Sequence, residues 1–265
     1  MIGSTALVLR GRDVLPLLHR TTSNSLAELV AGSACATLFC DFRGRLQHRA
    51  VVAVASDGAV WLLRADAPGS ELAATVDRMV FRDDVRIEDR SRELPVVLAG
   101  APPAAQGVLG ENARAPLAVA TGDGTLLALD GRDALPEAER IARLLPRHGH
   151  EIAEAFNPFE VGLAHEVHLA KGCFTGQEAL QRLVTYNGVR RRPVRVRLAA
   201  ETTSVPADVL ASGVRVGVLT SVARREGFAV LREEPLANRA ELSLADGTGV
   251  RVIAAPEPAR PLGRP

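Results

Sequence analysis

Lysine is nearly missing from this chain. Lys171 is the only one, and the other 31 of the 32 basic residues are arginine. Aromatic residues make up 3% of the 265 positions, so aliphatic Leu, Val and Ala must fill the interior. Cysteine is sparse too, at Cys35, Cys40 and Cys173. Three thiols cannot build a disulfide framework, which points to a reducing cytoplasm. No apolar run reaches the roughly 18 residues of a membrane span, and the first residues lack the charged, apolar and small-residue layout of a signal peptide. A net charge of +1 and a pI near 7.8, with no basic stripe interleaved with aromatics, argue against a nucleic-acid partner. The length suits one large domain or two to three small ones.

Against this background the run Lys171-Gly172-Cys173-Phe174-Thr175-Gly176-Gln177-Glu178 stands out. It combines the lone ammonium, a cysteine two residues on, and two glycines four apart that permit a tight turn or a close approach. Thr175 and Glu178 fit a capping box, so a helix is expected from about Gly176, with Ala179, Leu180, Leu183 and Val184 on one face. Cys173 then precedes a helix N-terminus, where amide donors and the dipole favour an anion. With Lys171 nearby, its thiol is a candidate thiolate. The bland alternative for a lone cysteine is a small buried hydrophobe, and that is how Cys35 and Cys40, inside an apolar run, are read.

The octapeptide resembles the K-G-C-[YF]-x-G-Q-E signature of the YgfZ family, tetrahydrofolate-binding proteins that maintain iron–sulfur enzymes and are related to the glycine-cleavage T-protein, an aminomethyltransferase. The resemblance implies an α+β fold: two ferredoxin-like modules followed by a C-terminal antiparallel β-barrel. Its domains would be residues 1–92, then 93–192 with the signature, then the barrel at 193–255, with a proline-rich disordered tail at 256–265. It also implies tetrahydrofolate or a related small molecule as ligand, and iron–sulfur client proteins as partners. Residues 140–151 align with the family's R-x-E-x-G-x-P-x-x-G-x-E. There Ala142 stands where the family has the Glu that anchors the pterin, and Leu144 replaces the glycine. A methyl group cannot accept the hydrogen bonds of a guanidine-like edge, so the anchor must come from elsewhere, with Glu139 and Glu151 nearest in sequence, or the pocket takes another ligand.

The rest of the chain reads in order. Strands are expected at residues 2–9, 35–40, 46–54, 60–64 and 85–89, with a hairpin turn at 41–45 and helices through Leu15–Leu18 and residues 71–80. The polar run His19–Asn24 either binds an anion or caps a helix starting at Ser25. Short strands at 95–99, 117–120 and 126–129, a turn at 122–124 and a helix over 134–145 follow. If residues 164–170 form a strand, as the resemblance implies, His165 and His168 face opposite sides and cannot share a metal; if they form a helix, they could. From 194 to 255 the pattern is all strand, with a G-x-x-T-S run at Gly217–Ser221.

Candidate catalytic residues are Cys173, Lys171 and His48. His48 lies where T-proteins carry an acidic pair and is either an acid–base group or a solvent-facing strand residue. Candidate ligand-binding residues are Gln177, Tyr186, Arg191 and Arg192, the last two in a basic cluster that either holds a carboxylate tail or is a solvated charge run. No metal ligand is expected. The expected function is folate-linked support of iron–sulfur proteins. The alternative is an enzyme reassigned to one-carbon transfer or another small-molecule conversion.

Overall fold

The computed structural model describes residues 3–100, 118–121, 126–129, 134–258 and 260–263. It opens with β1 (Thr5–Arg10), α1 (Val14–Thr21), the hairpin β2 (Ala34–Cys40) and β3 (Leu46–Val54), β4 (Val60–Arg64), α2 (Gly69–Asp77) and β5 (Arg86–Asp89). These strands form one antiparallel sheet in the order β2-β3-β4-β1-β5. Both faces of the sheet are covered, which explains why β1 and β4 read as nearly unbroken apolar runs. Leu7, Leu9 and Leu62 pack under Leu17, Leu18, Leu72 and Val76 of the two helices. Their neighbours Ala6, Val8, Trp61 and Leu63 face Val96, Val119 and Leu127 on the other side. Pro16 sits in the first turn of α1, where its missing N–H costs nothing.

That second layer is a small sheet of β6 (Val97–Leu98), β7 (Ala118–Ala120) and β8 (Leu126–Ala128), in the order β6-β8-β7. After it come α3 (Glu137–Ala142), two short 3-10 turns at Pro158–Val161 and Ala164–Glu166, and α4 (Gln177–Thr185). The turn expected at 122–124 lies outside the described residues. The chain finishes in a closed barrel of β9 (Arg191–Leu198), β10 (Ala207–Ala211), β11 (Val214–Ala223), β12 (Glu226–Arg232), β13 (Leu242–Leu244) and β14 (Gly249–Ala254), with α5 (Glu233–Ala237) between β12 and β13. Closure removes free strand edges, and alternate residues such as Val194, Val196 and Leu198 fill the interior. Among the described residues no helix is long and apolar enough to cross a membrane.

Four local expectations change. No helix starts at Ser25. Instead Thr22, Ser23 and Asn24 are buried and spend their polar atoms internally: Ser23 Oγ donates to the Glu166 carbonyl at 2.7 Å and Asn24 Nδ2 to that of Ala36 at 2.9 Å. That leaves the run with nothing to offer an anion. The helix expected over 134–145 contracts to α3. Residues 164–170 are no strand but a 3-10 turn followed by a single bridge, His168 to Leu262. The partner in that bridge is the tail: Leu262 N–H donates to the Val167 carbonyl at 2.7 Å, and Leu169 N–H to that of Leu262 at 3.0 Å. Residues 260–263 are therefore docked rather than disordered.

Candidate functional site

A cavity of about 410 Å³ lies between the two sheets, within the usual size of a small-molecule pocket. Val51 of β3, Leu63 of β4, Val96, Leu98 of β6 and Leu127 of β8 give it apolar walls. Its polar groups are Arg49, Arg64, Asp66, Glu137, Arg140 and Arg147. Most of these are committed to each other. Arg49 clamps the buried carboxylate of Glu166, with Nε at 2.8 and 3.0 Å from its two oxygens. Arg140 is buried and holds Glu137 in a two-pronged pair, both bonds 2.8 Å. Burial alone would raise the Glu137 carboxyl; Arg140 and Arg147 overcome that and hold it below its usual range. Asp66 is the exception. Its Oδ2 accepts the His148 N–H at 2.7 Å, and among the described residues nothing bonds its Oδ1.

The missing pterin anchor can now be placed. Ala142 is exposed at the end of α3 and does not line the cavity. Neither neighbouring carboxylate compensates. Glu139 is on the surface, paired with Arg143. Glu151 is 0% exposed and fully engaged: it accepts from Thr220 Oγ1, from Ser221 Oγ at 2.7 Å, from Arg147 N–H at 3.0 Å and from Arg140 Nη1 at 3.3 Å. Two consecutive strand residues reach one carboxylate because a bulge interrupts β11 between Leu219 and Ser221. The G-x-x-T-S run is thus a clasp between the barrel and the preceding layer.

His48 is buried, not solvent-facing, and is not in the cavity. Arg64 Nη1 donates to its Nδ1 at 3.0 Å, which leaves Nε2 to donate to Thr75 Oγ1 at 3.0 Å; Thr75 passes its own proton to the Glu71 carbonyl. Burial first, then Arg64, His148 and Arg78, push its pKa down to about 4. It is neutral at physiological pH, and both ring nitrogens are engaged by protein partners. Its ring stacks on His148 at 5.4 Å, and with Glu71 the two histidines place ligand-type atoms within 4.8 Å of one another. Chemically the trio does not suit a cation: one lone pair of His48 is taken by a guanidinium and its other nitrogen carries hydrogen, whereas a metal ligand must offer a free lone pair.

The signature forms a loop leading into α4. No capping box forms. Gly176, at φ +85°, is the N-cap, no side chain caps it, and Glu178 pairs instead with Arg182 at 2.5 Å. Gly176 presses against the β2–β3 hairpin, where a Cβ would lie 2.5 Å from the Asp41 carbonyl oxygen. Lys171 faces inward: its Nζ donates to the His19 carbonyl and sits 5.2 Å from the Phe174 ring centre. His19 Nε2 returns a bond to the Lys171 carbonyl at 3.1 Å. Burial pushes the ammonium down to about 8 from 10.5. Cys173, next to this pair, is exposed, unlike Cys40, whose buried thiol is pushed up to about 12. Neither Lys171 nor Cys173 lines the cavity.

One expected result arises directly. Because Lys171 is the single lysine, an amine-acylating reagent has one side chain to find. Its labelling, read by peptide mass spectrometry, should rise with a midpoint near pH 8; a midpoint near 10.5 would show a solvated ammonium. The sign for stability follows. Between pH 8 and 10.5 the unfolded chain binds a proton that the native chain does not, so the burial penalty on this group is complete below pH 8 and fades as the pH rises to 10.5.

The remaining sequence candidates scatter. Gln177 Nε2 donates to the Leu169 carbonyl at 2.8 Å, stapling the loop. Tyr186 is 76% exposed at the end of α4. Arg191 forks onto Glu160 at 2.7 and 3.0 Å, and Arg192 opens onto a different recess, at the barrel. None of the four lines the cavity. The groups that do, Asp66 above all, were missed in the sequence. The available signal was Arg64 and Asp66 ending an otherwise apolar strand, a place where charge has to be accommodated.

Residues 190–259 match the family model described as CAF17, C-terminal beta-barrel domain. A putative chloroplastic transferase of Arabidopsis thaliana is 36% identical over 85 residues, 32% of this chain and 19% of that protein. An aminomethyltransferase of Moorella thermoacetica is 40% identical over 96 residues, 35% of this chain and 24% of that protein. These matches therefore span a quarter or less of the curated relatives' length. The glycine cleavage system aminomethyltransferase T from Bartonella henselae superimposes with a TM-score of 0.72 over 96% of this chain and 83% of its own, at 15% identity, which shows a shared fold. The barrel thus matches the CAF17 C-terminal domain and the chain shares the aminomethyltransferase fold, findings that support the resemblance of the Lys171–Glu178 signature to the YgfZ family, related to the glycine-cleavage T-protein.

Proposed function

We propose that the protein binds a reduced folate in the cavity between its two sheets, and that Cys173 carries out thiol chemistry in the assembly or repair of iron–sulfur proteins. The observation that carries the first half is Asp66. It is a half-buried carboxylate in a cavity of about 410 Å³ whose arginines and Glu137 already have protein partners, with one oxygen fixed by the His148 amide and the other open. Such an oxygen accepts the hydrogen bonds of a pterin's guanidine-like edge, the task for which Ala142 has no group. The second half rests on an exposed cysteine in the signature loop, two residues after the inward-facing Lys171. One thiolate cannot hold a cluster that needs four, so Cys173 would act on a partner's sulfur or metal. Three cysteines with no disulfide among them fit a reducing cytoplasm.

Calorimetry with tetrahydrofolate and 5-formyltetrahydrofolate tests the cavity. Binding to the native chain should weaken by roughly 10- to 100-fold in Asp66→Asn, the cost of a charge-assisted bond; equal binding to both would overturn the assignment. Cys173→Ala should bind folate normally yet fail to restore iron–sulfur enzyme activity in cells lacking a family member. Full restoration would remove the thiol role. The alternative, a reassigned one-carbon enzyme, would use Asp66, the cavity's open carboxylate, as its acid–base group. Conversion of the added folate by native protein but not by Asp66→Asn would favour it.

A further inference from the structure

A second recess, of about 920 Å³, lies on the barrel and shares no residue with the cavity between the sheets. Five arginines line it, against a single acidic residue, Glu241. Two of them are already occupied. Arg197 bonds Glu226 at 2.9 Å, and Arg225 donates to the carbonyls of Leu198 and Ala199. The other three, Arg192, Arg239 and Arg251, have no side-chain hydrogen bond or ion pair among the described residues. Their placement works against the fold unless something answers them. Arg192 has its Nε buried with no acceptor, and an unmet buried donor is costly. Arg251 lies directly opposite Arg197 across the β9–β14 pair, where like charges repel. Arg239 follows α5 with φ +50°, a left-handed backbone that favours Gly or Asn over an arginine.

One kind of occupant answers the unmet guanidinium groups. Guanidinium groups recognise phosphate and carboxylate oxygens through paired N–H donors, and an anion on Arg251 would give it the kind of partner that Arg197, opposite it, has in Glu226. The recess is far larger than one inorganic anion needs, and Leu236, Leu242, Val250 and Val252 supply apolar lining beside the arginines. We propose that it is a second ligand site, for an organic anion bearing phosphate or carboxylate groups on an apolar body. The neighbouring recess at Arg190, Arg191, Arg215 and Arg232 is different, because Glu233 and Glu234 line it too.

The test uses the full chain, with pyrophosphate and citrate as probes, each followed by calorimetry and thermal unfolding. At least one should bind and raise the native Tm; which of them does so assigns phosphate or carboxylate chemistry. Arg192→Gln should weaken that binding by roughly tenfold. Arg239→Gly should weaken it equally while leaving the ligand-free Tm unchanged or higher, because glycine relieves the backbone strain. Arg215→Gln is the control: it removes the same charge from β11 outside the recess, where Arg215 meets Asp208 at 2.7 Å, and it should bind like the native chain. The proposal is overturned if neither anion binds, if binding survives both recess substitutions, or if the control loses as much as they do. None of these results touches the folate reading, which depends on other residues.

Discussion

Gly176→Ala should destabilise the protein by about 3 kcal/mol or more, seen as a fall in Tm of several degrees. Two costs add. A non-glycine residue in left-handed backbone costs roughly 1–2 kcal/mol, and Gly176 sits at φ +85°. The new methyl would also lie 2.5 Å from the Asp41 carbonyl and 3.1 Å from the Gly44 Cα. These are backbone atoms of a tight turn and cannot yield like a side-chain end, so overpacking adds roughly 1–3 kcal/mol. Gly172→Ala separates the two costs. It too has positive φ, at +109°, but nothing lies within 4 Å of its Cβ position, so only the backbone cost should appear. Equal losses in the two variants would mean that the hairpin contact does not explain the second glycine of the signature.

Glu151→Ala should cost about 3–5 kcal/mol in chemical denaturation, the range for breaking a buried charge network from one side. Arg140 keeps Glu137, but the hydroxyls of Thr220 and Ser221 and the Arg147 amide lose their shared acceptor in a place that water does not reach. Because both hydroxyls come from β11, the loss should be felt across the joint between barrel and α3. Amide exchange should speed up in β11 and around residues 147–152 more than in β1 or β4. A loss under about 1 kcal/mol, or uniform exchange, would show that Glu151 is not the clasp described above.

The outline of the fold was readable because its information is local. The β2–β3 hairpin announces itself by a polar turn between two apolar runs, and β9 by the alternation of Arg195 and Arg197 with Val194, Val196 and Leu198. Misreadings occurred where a distant partner decided the outcome. Val167 and Leu169 look like strand residues, but the segment is held by Ser23 and by a single bridge to Leu262, some ninety positions on. His19–Asn24 looks like a ligand loop, but its side chains are bound by Ala36 and Glu166. The site was less legible than the fold for the same reason. Asp66 sits just past a strand end and Glu137 at a helix start, and neither means anything until the two sheets close on them. The signature was easy to see, and its visible residues proved to be of two kinds: Gly176, Gln177 and Lys171 hold the loop in shape, while Cys173 is what the loop displays.

The docked C-terminal segment has a practical meaning for anyone labelling this protein. Leu262 lies across residues 167–169, a few positions ahead of the displayed sulfur. A purification tag or fluorophore fused beyond this segment would leave the protein from beside His168 and Ala170, against which Gly263 lies, and would load the stretch that leads into the signature loop. Inactivity of such a fusion would then describe the label, not the protein.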